Sequence, residues 1–390
     1  MIDCLAAKSP LPGIQKIRYL LLLPHHIFKK TLLNKNKTKT NMTIRSKAPL
    51  RLGLAGGGTD VSPYCDLYGG LVLNATINLY AYCTIEETDN GMIEIHSWDS
   101  GVHETLKSQR RLDIDGKASL IKGVYNRVVS DFDLPPLSMR ITTHNDAPIG
   151  SGLGTSSTMV VCILKAFAEW HNLPLGDYEL AKTAFVIERQ DLAFDGGRQD
   201  QFAAAFGGFN FIEFHANDLT IVNPLKIKRW IKDELEASML LYYTGRSRLS
   251  AEIISEQQRN TREGNQEAIE AMHLIKQSAI DTKVALLKGD IGTMADILQE
   301  QWKNKQKMAS GITSNAIRKT IDVAMEAGAQ AGKISGAGGG GFIFFFVDPT
   351  RKQAVADALT ALDGHTMHFN FSEGGAQSWK IYPTDKVNKM

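Results

Sequence analysis

Hydrophobic positions change period along the chain, and the changes mark out its elements. From Met42 onward, short apolar runs separated by turn residues predict strands over residues 71–77, 80–86 and 92–97. Asn90-Gly91 suits the left-handed backbone of a tight turn and predicts a hairpin between the last two. Leu137, Met139 and Ile141 lie on one face of a further strand over 137–143. A glycine-rich stretch follows, after which Met159, Val160, Ile163, Leu164 and Phe167 recur at helical spacing. They predict a helix over about 156–170, ended by Asn172, Pro174 and Gly176, and a second helix over about 177–188. Phe202, Phe206, Phe209, Phe211, Ile212 and Phe214 make an aromatic stretch broken by Gly207-Gly208.

Near residue 225 the texture changes. A strand over 240–243 precedes three helical stretches near 250–288, 291–308 and 313–327. A second glycine cluster then leads into the apolar strand 342–347 and a helix over 351–362. Strands and helices mix without the regular alternation of a parallel sheet, which predicts an α+β protein of two domains, 42–225 and 226–390. Residues 1–41 stand apart. Their apolar run, 19–23, is closed by Pro24, is too short to span a bilayer and lacks a small-residue cleavage site. Residues 29–41 are mostly Lys, Asn and Thr, which cannot build a core. Met42 sits directly before the first patterned strand, so 1–41 is expected to be a non-native or disordered extension, with a basic targeting arm as the rival.

Charge sharpens this division. The chain carries a formal net charge of +2, but residues 1–41 hold eight Lys/Arg against one acidic residue. The remaining body is therefore mildly acidic, with no electrostatic footprint for nucleic acid. Hydrophobic residues at 43% and charged residues at 22% describe an ordinary globular chain. Cys4, Cys65, Cys83 and Cys162 show neither a Cys-x-x-Cys pair nor zinc spacing, which predicts reduced thiols in a cytoplasmic protein. His25-His26, in the basic tail, is expected to be solvated.

The chemistry concentrates in Pro148-Ile-Gly150-Ser151-Gly152-Leu153-Gly154-Thr155-Ser156-Ser157. Three glycines at alternate positions bare a run of amides, and the helix that follows aims its positive end at the same space. Together they make a phosphate cradle, and the hydroxyls can reach a phosphate oxygen or magnesium. A plain strand-to-helix turn needs fewer glycines. The stretch is not a Walker A loop, and Gly332-Lys333 fails that pattern because Ala327 and Ile334 occupy the required positions. Between residues 188 and 201, carboxylates lie close to glycines, an arrangement suited to a magnesium site with a base beside it.

The loop, written Pro-x-x-x-Gly-Leu-Gly-Thr-Ser, resembles the ATP loop of the GHMP kinases. Two further stretches agree in order. Residues 48–60, Ala-Pro-Leu-Arg51-Leu-Gly-Leu-Ala-Gly56-Gly57-Gly58-Thr59-Asp60, resemble the family's substrate-side motif, and Lys333-Ile-Ser335-Gly336-Ala-Gly338-Gly339-Gly-Gly resembles its third. The resemblance implies a two-domain fold: an N-terminal ribosomal S5 domain 2-like part and a C-terminal ferredoxin-like part. It implies a kinase using ATP and Mg2+, with Asp200 at the attacking hydroxyl, Arg51 and more weakly Lys47 near the reacting centre, and Glu188 with Ser156 on the metal. Residues 148–157 would hold the nucleotide. Arg51, Gly57, Gly58, Thr59, Asp60, Gly338, Gly339 and Arg246 would face the sugar, with Arg246 and Arg248 available to a remote phosphate. Asp191 and Asp195 receive no role.

Where galactokinases carry Gly-Glu-His-Thr-Asp-Tyr, this chain has Gly56-Gly57-Gly58-Thr59-Asp60-Val61. That form is most similar to the bacterial D-glycero-D-manno-heptose 7-phosphate kinases. The implied reaction is phosphorylation of the anomeric hydroxyl on the way to nucleotide-activated heptose, by a monomer or dimer with no membrane or nucleic-acid partner. Fucokinase- or galactokinase-like activity is the nearest alternative. A decarboxylase or a non-catalytic sensor on the same fold is more distant. An NAD-dependent oxidoreductase using 53–58 is disfavoured because the Gly-x-Gly-x-x-Gly spacing is missing.

Overall fold

The computed structural model describes residues 42–246 and 251–382. The first patterned stretch is one long strand, β1 (Thr43–Ala55), followed by a short helix, α1 (Tyr64–Tyr68). The two runs expected over 71–77 and 80–86 are a single strand, β2 (Gly70–Glu87). Asn78 interrupts the apolar pattern, yet its amide and side chain pair with Asn370 at 2.9 and 2.8 Å, so the backbone continues unbroken. Next come β3 (Met92–Ser97), β4 (Val102–Lys107), α2 (Ser119–Asp131) and β5 (Met139–Asn145). Asn90-Gly91 does turn the chain, with Gly91 at φ +72°, but β2 and β3 do not form the expected hairpin. β5 inserts between them, antiparallel to β2 and parallel to β3. Ser138, at its start, anchors the turn through Asn90 Oδ1 and the Gly91 amide.

The glycine-rich loop leads into α3 (Thr155–His171), then α4 (Asp177–Val186) and a π-helical turn over Ile187–Asp191. The aromatic stretch divides at Gly207-Gly208 into α5 (Gln199–Phe206) and β6 (Phe209–Phe214), with β7 (Thr220–Pro224) beyond. The second half contributes α6 (Arg229–Ser238), β8 (Met239–Tyr243), α7 (Ala251–Arg262) and α8 (Gln266–Lys288). The helical stretch expected over 250–288 is therefore two helices. Gly264 breaks it, and Asn265 restarts it by accepting the Ala268 amide at 3.2 Å. The remaining elements are α9 (Ile291–Lys305), α10 (Asn315–Glu326), β9 (Ala329–Ile334), β10 (Phe342–Val347), α11 (Lys352–Leu359), β11 (His365–Met367) and β12 (Gln377–Ile381).

The strands form two sheets, one in the order β12-β1-β2-β5-β3-β4 with β6 and β7 branching from β2, the other β11-β8-β10-β9. One core joins the first sheet to α3 through Val160, Ile163, Leu164 and Phe167, all fully buried. β10 explains how the sheets share a second core. Phe342, Phe344 and Phe346 pack against Leu50, Leu52 and Leu54 of β1, while Ile343, Phe345 and Val347 face a third cluster under α10 and α11. Both faces of β10 are buried, hence its unbroken apolar run. Among the described residues, no helix is long and apolar enough to cross a membrane. Cys65, Cys83 and Cys162 are free and buried.

Candidate active site

The glycine loop owes its shape to two partners. Gly150, Gly152 and Gly154 have φ of +75°, +81° and +79°, which side chains rarely adopt. At Gly152 a Cβ would also lie 2.4 Å from the Ser335 carbonyl oxygen, and at Gly336 one would lie 2.7 Å from the Gly152 Cα. The loop and the second glycine cluster thus interlock backbone to backbone. The Phe342 amide donates to Ser151 O at 2.9 Å, and Ser335 Oγ donates to Gly152 O at 2.8 Å. From β1, the Arg51 amide donates to Leu153 O at 3.1 Å. Gly150, Gly152, Gly154, Thr155, Ser156 and Ser157 line a cavity of about 250 Å³ at the N-terminus of α3. Ser151 and Leu153 are buried behind it, and Pro148 is exposed outside it.

Arg51 and Asp200 meet in this cavity. Arg51 is 4% exposed, and its Nε and Nη2 both donate to Asp200 Oδ1 at 2.6 Å, while Nη1 donates to Gly152 O at 2.6 Å. One guanidinium therefore ties the carboxylate to the loop. Asp200 Oδ2 is left beside Gly154, within 3.2 Å of where a Cβ there would stand.

Asp60, expected to face the sugar, lines the cavity and also braces its wall. It is 1% exposed. Oδ2 accepts the Arg198 and Gln199 amides at 2.9 and 3.0 Å, and Oδ1 accepts the Gly58 amide at 3.1 Å and Gln199 Nε2 at 3.0 Å. These four bonds fill a carboxylate's acceptor sites. Asp60 caps α5 from outside and so positions Asp200, one residue into that helix. Asp60→Asn turns an amide NH2 onto donors and is expected to lower the unfolding free energy by about 1–3 kcal/mol, as a denaturant titration would measure.

Glu188 lies in the π-helical turn, 1% exposed, and burial raises its carboxyl above the ordinary value. Arg189, 3.7 Å away, and bonds from Ser157 and Gln201 act against that rise. Gln201 Nε2 donates to Glu188 Oε2 at 2.5 Å and to Ser157 Oγ at 3.1 Å, while its own buried Oε1 has no partner. A desolvated carboxylate lining the same cavity as the exposed Ser156 hydroxyl fits a magnesium ion. Among the described residues no cluster of three His, Cys, Asp or Glu could hold a metal, so phosphates and water would complete such a shell.

Several expected site residues stand elsewhere. Lys47 rests 4.7 Å over the Tyr80 ring and does not line the cavity. Thr59 is buried, donating to Gly56 O and Leu71 O at 2.8 and 3.0 Å. Gly338 packs on the Ile312 backbone, the Gly339 amide donates to Ile312 O at 2.9 Å, and neither lines the cavity. The Arg246 side chain is 74% exposed and lies 3.6 Å from Asp363, which removes it as a cavity cation. Arg248 lies outside the described residues. Asp191 pairs with Arg127 at 2.5 Å, whereas Asp195 lines the cavity together with Gly57 and Gly58.

Four cavity residues received no role from the sequence, Lys333 among them although it opens the third glycine motif. Gln257 Nε2 donates to Gly58 O at 2.7 Å, and Gln199 Oε1 is buried without a partner. Lys305, at the end of α9, and Lys333, in β9, are 6% and 3% exposed. Burial, with Arg51 nearby, pulls Lys305 down to about 8, against a smaller upward pull from Asp60. Burial, then Lys305 and Arg51, push Lys333 well below its ordinary value.

An interlocked glycine loop at a helix N-terminus, facing an arginine-held aspartate, is the arrangement of a phosphoryl-transfer enzyme. Residues 119–208 match the GHMP kinase N-terminal domain model and 282–363 the GHMP kinase C-terminal model. The chain belongs to the GHMP kinases, and it is an enzyme, which sets aside the sensor and oxidoreductase alternatives. It is 50% identical over 339 residues to the D-glycero-alpha-D-manno-heptose 7-phosphate kinase of Campylobacter jejuni, covering 87% of this chain and 99% of that one. A crystal structure of a D-glycero-D-manno-heptose 1-phosphate kinase from Bacteroides thetaiotaomicron superposes with a TM-score of 0.76 at 60% identity, covering 87% and 100%. The L-fucokinase/L-fucose-1-P guanylyltransferase of Bacteroides fragilis is 25% identical, over 82% of this chain but only 36% of its own length.

Proposed function

We propose that the chain phosphorylates D-glycero-D-manno-heptose 7-phosphate at its anomeric hydroxyl, giving the 1,7-bisphosphate on the way to nucleotide-activated heptose. The coarser statement rests on kinship: relatives at 50% and 60% identity are sugar kinases by name, the chain is a sugar kinase, and its family implies ATP as donor. The observation that carries the reading is Asp200, fixed through Oδ1 by Arg51, with Oδ2 turned to the loop. In this reading the loop amides and the N-terminus of α3 hold the ATP phosphates. Glu188 and Ser156 would hold a magnesium ion, which when bound supplies neutralising charge to those phosphates. Asp200 Oδ2 takes the proton of the attacking hydroxyl, and Arg51 keeps that oxygen aimed. Positioning and electrostatics then supply most of the rate. A cytoplasmic monomer or dimer belongs to the same reading.

The names of the two heptose kinases differ in the acceptor, and phosphorylating either monophosphate at its other end gives the same bisphosphate. The test must therefore follow which monophosphate is consumed. With purified protein and ATP, heptose 7-phosphate is expected to disappear as ADP forms, while heptose 1-phosphate stays intact. Equal turnover of free fucose or galactose would leave family membership untouched and remove this acceptor.

A further inference from the structure

We propose that Lys305 and Lys333 form the seat for the terminal phosphate of the acceptor sugar. The assignment rests on the sugar-phosphate reading and deepens it. Both ammonium groups are buried in the wall of the same cavity as Arg51 and Asp200. Among the described residues neither has a carboxylate within ion-pair distance. Lys305 Nζ donates to the Gly336 carbonyl, and Lys333 Nζ donates to Leu54 O at 3.4 Å and Gln301 Oε1 at 3.2 Å. All three acceptors are neutral. Of the nearby anions, Asp60 is committed to its four N–H donors and Asp200 Oδ1 to Arg51. Two buried amines are left facing one space, with no anion of the protein to hold both in their charged form.

Lys122 shows how the same chain treats a structural lysine. It is 1% exposed, and Glu104 at 2.9 Å and Asp115 at 2.7 Å neutralise it. A buried charge without such partners is costly in the free protein, and that cost is relieved when a ligand brings the counter-charge. A phosphate monoester dianion matches two ammonium groups in charge and in its ring of acceptor oxygens.

ATP is the other source of a phosphate, but the contacts favour the acceptor. Lys333 reaches Leu54, which leads into the 55–58 segment, and Lys305, although bonded to Gly336 beside the loop, lies close to Arg51 and Asp60, whereas Ser156 and Glu188 mark the nucleotide side. The acceptor would lie with its phosphate on the lysines and its reacting hydroxyl at Asp200. Binding energy from the remote phosphate is then used to position the reacting end.

The test is kcat/KM for heptose 7-phosphate and for unphosphorylated heptose, in the wild type and in Lys305→Met and Lys333→Met. The wild type is expected to prefer the phosphate, and each variant to lose about tenfold or more on the phosphate but markedly less on free heptose. KM for ATP should stay within about twofold of the wild type, since the lysines do not serve the donor. Equal losses on both acceptors would make the lysines structural and overturn the proposal. A raised KM for ATP with acceptor preference intact would move the seat to the donor and also overturn it. A wild type indifferent to the phosphate would instead sink the sugar-phosphate reading beneath it. If the Met variants do not fold, Lys305→Gln and Lys333→Gln keep a donor for the carbonyls without charge and give the same comparison.

Discussion

Asp200→Asn is expected to bind ATP normally while kcat falls about a hundredfold or more, the scale of a positioned acid–base group. The substitution is nearly isosteric, so Arg51 retains an oxygen to hold and the loop retains its Arg51–Gly152 bond. What is lost is the anionic Oδ2 beside Gly154. Steady-state rates alongside nucleotide titration would separate the two properties. A variant turning over at near wild-type rate would take Asp200 out of the chemistry and leave it as an anchor for Arg51.

Arg51→Lys is expected to cost on the order of a hundredfold in kcat, despite conserving charge. The guanidinium makes three donations at once, two to Asp200 Oδ1 and one to Gly152 O. A lysine ammonium can reach one of these partners but cannot bridge both in a fixed plane. Losing the bridge uncouples Asp200 from the glycine loop, so on the proposed reading KM for ATP should rise together with the fall in kcat. A drop in kcat alone would mean that the loop is held well enough by Ser335 and Phe342. Full activity would show that charge, not geometry, is what this position needs.

How much of this was legible depended on the range of the interaction concerned. The glycine loop, Arg51, Glu188 and Asp200 sit in local motifs, and the structure brings all of them to one cavity. Local pattern also placed β10 to the residue, because burial on both faces makes an uninterrupted apolar run. Asn90-Gly91 showed that the chain turns, but a dipeptide cannot show that β5, forty-eight residues later, will enter between the strands it joins. The bracing role of Asp60 was not legible, because its partners lie 138 and 139 residues away at the start of α5. Lys333 opens the third motif but drew no role there, and Lys305 left still less trace. A basic residue in the last turn of a helix ordinarily means favourable contact with the helix dipole at the surface, and only tertiary burial distinguishes Lys305 from that.

The interlocking of Gly152 with Gly336 bears on how the enzyme is made. Synthesis proceeds from the N-terminus, and early parts of a chain fold before later ones exist. The first sheet and α3 can form early, yet the partner that shapes the nucleotide loop is 183 or more residues behind it, and β12, which closes on β1, comes later still. A nascent or prematurely ended chain would carry the loop's glycines without the backbone that sets their conformation. Such a fragment is expected to leave the loop without its finished shape, so the cavity becomes complete only late in synthesis.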